Sequence, residues 1–117
     1  MEAFVNNRPS FLLPTCKGIQ VIPIDSIIRI EGSSNYSKLF FLDGKTLVVA
    51  KLLKWFEEKL LEKNFARIHK THLVNTNCIC QYVGGSGGKV CLSNGEWVSV
   101  SKRKKQFFIK SWMAMPA

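Results

Sequence analysis

A chain of 117 residues has room for one domain with one core. Its hydrophobic fraction of 46% and charged fraction of 21% are those of a globular protein, which excludes a disordered tail. No apolar run approaches the roughly 18 residues that span a bilayer. Basic residues outnumber acidic ones by 17 to 8, and after Glu62 nine basic residues face only Glu96. This excess of positive charge attracts nucleic acid or an anionic lipid surface.

The N-terminal stretch shows no regular period and is interrupted by Pro9 and Pro14. We therefore predict a leader or linker over 1–17, a folded domain over 18–110 and a tail over 111–117. The first ten residues lack the apolar core of a secretory signal, so a cytoplasmic location is expected. The sequence leaves open whether the tail packs on the core or on a partner.

Short β-branched runs after Gly18 predict strands over residues 19–23, 27–31, 36–42 and 46–49. Asp43-Gly44 is a hairpin signal between the last two. The period then becomes helical, because Leu52, Leu53, Phe56 and Leu60 fall on one stripe. A helix is predicted over 51–63, with Asn64 as its stop.

The second half returns to a strand-like pattern. Strands are predicted over 65–69, 79–83, 89–92 and 97–100, with a compact turn or short helix over 71–77. The glycine-rich stretch 84–88 is interpreted as a hairpin loop, because a strand follows it and not the Lys-Ser/Thr and helix of a P-loop. Ser101 is expected to cap a terminal helical segment with Phe107, Phe108 and Trp112 on its apolar side.

These elements predict a mainly β fold of short antiparallel sheets, with about 7–10 strands, one mid-chain helix and a C-terminal helical segment. Catalysis is not expected, because no acidic residue between Glu62 and Glu96 is available to orient a histidine. No cofactor is expected either.

A zinc site is the alternative that the residue types suggest, because two histidines and three cysteines lie close together in the chain. They are His69, His72, Cys78, Cys80 and Cys91. The Cys-x-Cys spacing is weak, however, and a hairpin separates Cys91 from the rest. Buried cysteines are favoured instead, with Cys78 and Cys80 on the same face of a strand, and no metal is expected.

Four stretches, taken in order, resemble the LytTR DNA-binding domain of bacterial transcription regulators. The most specific is residues 65–75, in which Arg67, His69, a basic residue, Thr71 and a Val-Asn pair follow the pattern of that family. The others are residues 28–31 with 35–38, 43–45, and 93–95 with 100–105. The similarity covers nearly the whole chain.

The resemblance implies sequence-specific binding of double-stranded DNA by loops inserted into successive major grooves, commonly at paired direct repeats. By position, the expected contact residues are Ser34, Asn35, Tyr36 and Lys38, then His69 and Lys70, then Ser101, Lys102, Arg103 and Lys105. Arg103 suits bidentate contact with guanine, whereas the lysines and Ser101 suit phosphate oxygens. For Arg67 and Asn75 the favoured role is to hold the adjacent turn by hydrogen bonds.

The resemblance also implies the output domain of a response regulator in a two-component system. A receiver domain does not fit within residues 1–17, so a receiver or a partner subunit is expected from outside this chain, and no membrane partner. The sequence departs from the family at Lys102 and Lys104, where arginines are common. The alternatives left open are a module that binds RNA, an acidic protein or a lipid surface, and a metal-supported fold.

Overall fold

The computed structural model describes residues 3–5, 8–85 and 87–114, with side chains from Arg8 onward. Within these ranges the chain forms eleven strands and two helices, so the predicted mainly β fold is confirmed. The helices are α1 (Leu53–Lys59) and α2 (Lys102–Met113). The strands are β1 (Ala3–Val5), β2 (Arg8–Thr15), β3 (Gly18–Pro23), β4 (Ile27–Ser33), β5 (Tyr36–Phe41), β6 (Thr46–Val49), β7 (Phe65–His69), β8 (His72–Asn75), β9 (Ile79–Val83), β10 (Lys89–Leu92) and β11 (Trp97–Ser99).

The described strands form three antiparallel sheets. The N-terminal sheet has the order β1-β2-β3, the central sheet β6-β5-β4-β8-β7, and the C-terminal sheet β11-β10-β9. Strands that follow one another in the chain and lie side by side in the same sheet form hairpins. The pairing of β4 with β8 is long-range and joins the two halves of the chain.

The central sheet is covered on both faces, because alternate residues of a strand point to opposite sides. Ile30 and its cross-strand partner Leu73 belong to a first core, shared with Phe56 of α1 and the N-terminal sheet. Val74 belongs to a second core, shared with the C-terminal sheet and Phe108 of α2. The central sheet therefore holds the other elements in place.

The N-terminal stretch differs from the expected irregular leader. Residues 8–15 form β2, of which residues 10–15 pair with β3. Phe11 and Leu13 point inward and are buried in the first core, while Leu12 and Pro14 point outward. The predicted boundary at residue 18 therefore cuts through a hairpin. Residues 1, 2, 6 and 7 of the predicted leader lie outside the described residues.

Two elements in the middle of the chain also differ from prediction. Helix α1 is shorter than 51–63, because the chain leaves the helix at Leu60 and then takes left-handed conformations at Glu62 (φ 62°) and Asn64 (φ 64°). Residues 71–77, predicted as a turn or short helix, contain strand β8 followed by a 3-10 turn.

Helix α2 follows the predicted Ser101 cap and includes residues 111–113, which were also assigned to the expected tail. Trp112 stacks on Phe108 with ring centroids 5.7 Å apart, four residues apart on the same helix face. Phe107 was expected on this apolar side and is instead 80% exposed, because neighbouring residues of a helix point in different directions. Residues 115–117 lie outside the described part of the chain.

The cysteines differ from prediction as well. Cys78 is buried, but Cys80 is exposed and Cys91 is half-buried, and all four cysteines are free thiols. Cys78 and Cys80 do not share a strand face, because Cys78 belongs to the 3-10 turn before β9. In the described residues no group of three or more His, Cys, Asp or Glu side chains is placed to hold a metal ion. The described helices are too short and too polar to cross a membrane.

Candidate nucleic-acid interface

The first predicted contact region is the tip of the β4–β5 hairpin. Ser33 pairs with Tyr36, which leaves Ser34 and Asn35 as a two-residue loop. Ser34 takes a left-handed conformation (φ 55°) that allows the tight reversal. Ser34, Asn35 and Tyr36 are exposed, so the hairpin presents polar and aromatic groups to the solvent.

The second region, the β7–β8 turn, lies beside the base of this hairpin. His69 pairs with His72 across the turn, and Lys70 at its tip is exposed. The backbone N–H of Gly32 donates to the carbonyl of Thr71 at 2.9 Å, which joins the two loops at the same end of the central sheet.

The third region is the junction between β11 and α2. The backbone N–H of Ser101 donates to the carbonyl of Ile68 at 2.8 Å, so the junction lies against the end of β7. The Ser101 hydroxyl accepts from the N–H of Lys104 at 3.3 Å, as predicted for a helix cap. All three predicted regions therefore meet at one end of the central sheet.

A cleft of about 530 Å³ separates the second and third regions. Four of its five lining residues are basic and the fifth has a hydroxyl: Arg67, Lys70, Ser101, Arg103 and Lys104. None of the acidic side chains that the structure describes lines it. We call this the basic cleft, and its composition suits phosphate groups.

The basic run of α2 is divided between two sides of the helix. Lys104 faces the basic cleft, whereas Lys102 and Lys105 line a separate cavity of about 320 Å³ beside Gly85 and Gly88. Arg103 borders both cavities. Lys104 and Arg67 were not among the predicted contact residues, and the helical period of residues 102–105 was the signal that could have separated the two sides.

Several motif residues hold the loops in place. Arg67 donates from Nε to the carbonyl of His69 at 3.1 Å and from Nη1 to Glu57 at 2.8 Å. Asn75 donates to the carbonyl of Ile27 at 2.9 Å and accepts from the N–H of Asn77 at 3.0 Å. The predicted turn-holding role of Arg67 and Asn75 is confirmed.

Of the predicted contact residues, His69 is half-buried, whereas Lys38 is exposed but lies beyond the hairpin tip. His69 Nδ1 lies 3.0 Å from the Thr71 hydroxyl and accepts the Thr71 N–H at 3.2 Å, so this nitrogen is used within the turn. Lys38 lies two residues inside the hairpin, with Nζ 5.2 Å from the Phe40 ring centroid. Any contact by His69 would therefore use Nε2.

Arg29 changes the charge balance inferred from the sequence. It is buried, stacks 3.7 Å above the Phe40 ring centroid, and donates to Glu31 at 2.9 Å and twice to Glu96 at 3.2 Å. The Arg29 and Asn94 hydrogen bonds lower the pKa of Glu96. The sole acidic residue after Glu62 is therefore neutralised, and the exposed charge of that half is positive.

His72 lies beneath these loops, next to Glu31. Its Nδ1 is buried and makes no hydrogen bond in the described part of the chain; the nearest carboxylate oxygen, of Glu31, is 3.9 Å away. Burial lowers the pKa of His72, and Glu31 opposes this shift only in part.

We therefore expect protonation of His72 to destabilise the fold. The unfolded chain takes up this proton near the ordinary histidine pKa, whereas the folded chain resists it, so stability falls as pH decreases from about 7 to about 5. In His72→Gln this fall becomes shallower, as measured by urea unfolding at several pH values. Glu96 titrates at more acidic pH and does not contribute to this slope. An unchanged slope in His72→Gln would contradict the assignment.

Comparison with known proteins identifies the fold and its family. The family model described as the LytTr DNA-binding domain matches residues 17–113. The chain belongs to the LytTR family. This family is one of DNA-binding domains and not of enzymes, and the resemblance seen in the sequence is confirmed.

A solved LytTR structure has the same architecture. It is the LytTr DNA-binding domain of a putative methyl-accepting/DNA response regulator from Bacillus cereus. The match has a TM-score of 0.74 at 23% identity and covers 91% of this chain and 97% of that one. No curated protein matches the sequence.

Proposed function

We propose that this LytTR domain reads the sequence of double-stranded DNA by inserting its three clustered loops into the major groove. The observation that carries the proposal is the convergence of the β4–β5 hairpin, the β7–β8 turn and the β11–α2 junction at one end of the central sheet, around the basic cleft. A major groove about 12 Å wide admits a two-stranded β-ribbon, which is the form of the β4–β5 hairpin.

The exposed groups suit different parts of a duplex. The amide of Asn35 matches the edge of adenine, and the guanidinium of Arg103 matches guanine. Lys70, Ser101, Lys102 and Lys105 bind phosphate oxygens and fix the position of the domain. Because Arg67 is engaged with Glu57 and donates to the carbonyls of His69 and Lys70, its main contribution is to hold the β7–β8 turn in place.

In this proposal the domain is the cytoplasmic output unit of a bacterial transcription regulator, and two copies bind paired direct repeats. A receiver domain or a partner subunit outside this chain supplies the activating signal. The family membership and the likeness to a domain of a DNA response regulator support this proposal.

A selection from randomised duplexes at constant salt tests the proposal. We expect enrichment of one motif, and a dissociation constant for that motif that rises steeply with salt concentration. Selection that enriches no motif would refute sequence-specific reading. Equal affinity for single-stranded RNA of matched length would favour the alternative of an RNA-binding module.

A further inference from the structure

A second concave surface lies next to the basic cleft and shares Arg67, Arg103 and Lys104 with it. It lies between the turn after α1, strand β7 and helix α2, and has a volume of about 490 Å³. Leu60 and Phe108, both fully buried, line its apolar base. We call this the α1–α2 groove.

Two large apolar side chains flank the groove and stay in water. Leu61 is 70% exposed and Phe107 is 80% exposed, and both line the groove. A single exposed apolar residue is ordinary on a protein surface, but two of them beside one apolar groove mark a contact site. A partner that covers these two side chains gains hydrophobic free energy, because their apolar surface is removed from water.

The charges of the groove indicate the chemistry of this partner. Arg103 and Lys104 line the α2 side, and neither side chain forms an ion pair within the described residues. On the opposite side Glu57 is neutralised by Arg67 at 2.8 Å, which leaves Glu62 as the opposing charge. The two positive charges exceed this single negative charge. A partner that places carboxylates beside α2 is therefore favoured over one that places cations there.

We propose that the α1–α2 groove docks a protein partner through an amphipathic, acidic helical segment. Large apolar side chains of the segment pack between Leu61 and Phe107, and its carboxylates face Arg103 and Lys104. Grooves with an apolar base commonly bind helices in this way. Nucleic acid matches the groove less well, because it offers phosphates but no apolar side chains for the base.

Docking would be coupled to DNA binding through Arg103 and Lys104, which line both the groove and the basic cleft. A docked segment and DNA would compete for these two side chains. The coupling rests on the proposed function, whereas the docking itself does not.

The test uses the full chain and a fluorescent 16-residue helical peptide with Leu and Phe on one face and Glu on the other. Fluorescence anisotropy should show saturable binding, which Phe107→Ser or Leu61→Ser weakens about tenfold. The control Leu42→Ser changes a side chain that is 56% exposed outside the groove and should leave binding unchanged. Lys104→Gln should weaken binding of the Glu peptide and leave binding of a peptide with Gln in place of Glu unaffected.

The docking proposal would be overturned if the unaltered chain did not bind the peptide, or if it bound a scrambled peptide equally well. An equal loss of peptide binding in Leu42→Ser would also overturn it, as would self-association of the chain that Phe107→Ser abolishes. Addition of the selected duplex should displace the peptide. If the peptide binds but the duplex does not displace it, the coupling is refuted while docking stands. If no duplex is selected, the proposed function fails independently of the peptide data.

Discussion

Replacement of Leu13 by alanine is expected to lower the free energy of unfolding by about 2–5 kcal/mol. Leu13 is fully buried in the first core, although it belongs to a stretch that the sequence predicts to be a leader. The substitution removes three carbon atoms from a packed site and leaves a cavity that the central sheet cannot fill. Urea unfolding followed by circular dichroism gives the change in free energy.

Leu12→Ala is the matched control. Leu12 is the next residue of β2, but it points outward and is 49% exposed, so its replacement should change the free energy of unfolding by no more than about 0.5 kcal/mol. Similar values for the two variants would show that β2 is not packed as described. This comparison matters for the domain boundary, because the family match begins only at residue 17.

The N-terminal strand was missed because its local sequence is unfavourable for a strand. Pro9 and Pro14 lack the N–H that a strand uses in pairing, and a proline within a run usually argues against a central strand. Here the strand is fixed by its pairing with β3 and by Phe11 and Leu13 in the core. Both are tertiary effects that a short window of sequence does not contain.

Strands joined by local turns were predicted well, whereas long-range pairing was not. The Asp43-Gly44 turn identified the β5–β6 hairpin from neighbouring residues alone. Strand β8 has only four residues, and one of its two partners, β4, lies about 40 positions away in the chain. Because the strand is short and its end residues, His72 and Asn75, are polar, the sequence predicted a turn.

The positions of the loops could be predicted from the family motif, but the sides to which their charged side chains point could not. Residues 102–105 are four consecutive cations in the sequence, and only the packing of α2 decides that Lys104 faces the basic cleft while Lys102 and Lys105 face the glycines. The Arg29–Glu96 pair joins residues 67 positions apart. The sequence gives no signal for such a pair, which is why Arg29 was counted with the other cations.

Arg103→Ala is expected to cause the largest loss of DNA affinity among single changes at the loops. Arg103 lies where the two basic sides of α2 meet and makes no ion pair within the described chain, so its guanidinium is available for a base edge. Loss of a bidentate contact with guanine costs about 1–3 kcal/mol, which corresponds to roughly 5- to 150-fold in affinity. Binding to the selected duplex and to each single-base variant of it measures the loss.

Two lysine variants separate the contribution of this base contact from that of charge. Lys105→Ala should weaken binding to all duplexes about equally and make the salt dependence shallower by about one unit of slope, as expected for a phosphate contact. Lys45→Ala removes the same charge next to the β5–β6 turn, at the opposite end of the central sheet, and should have little effect. Arg103→Ala alone should relax the preference at one base pair. If all three variants weaken every duplex to the same extent, the interface is a diffuse electrostatic one, because long-range attraction depends on total charge and not on which end of the sheet carries it.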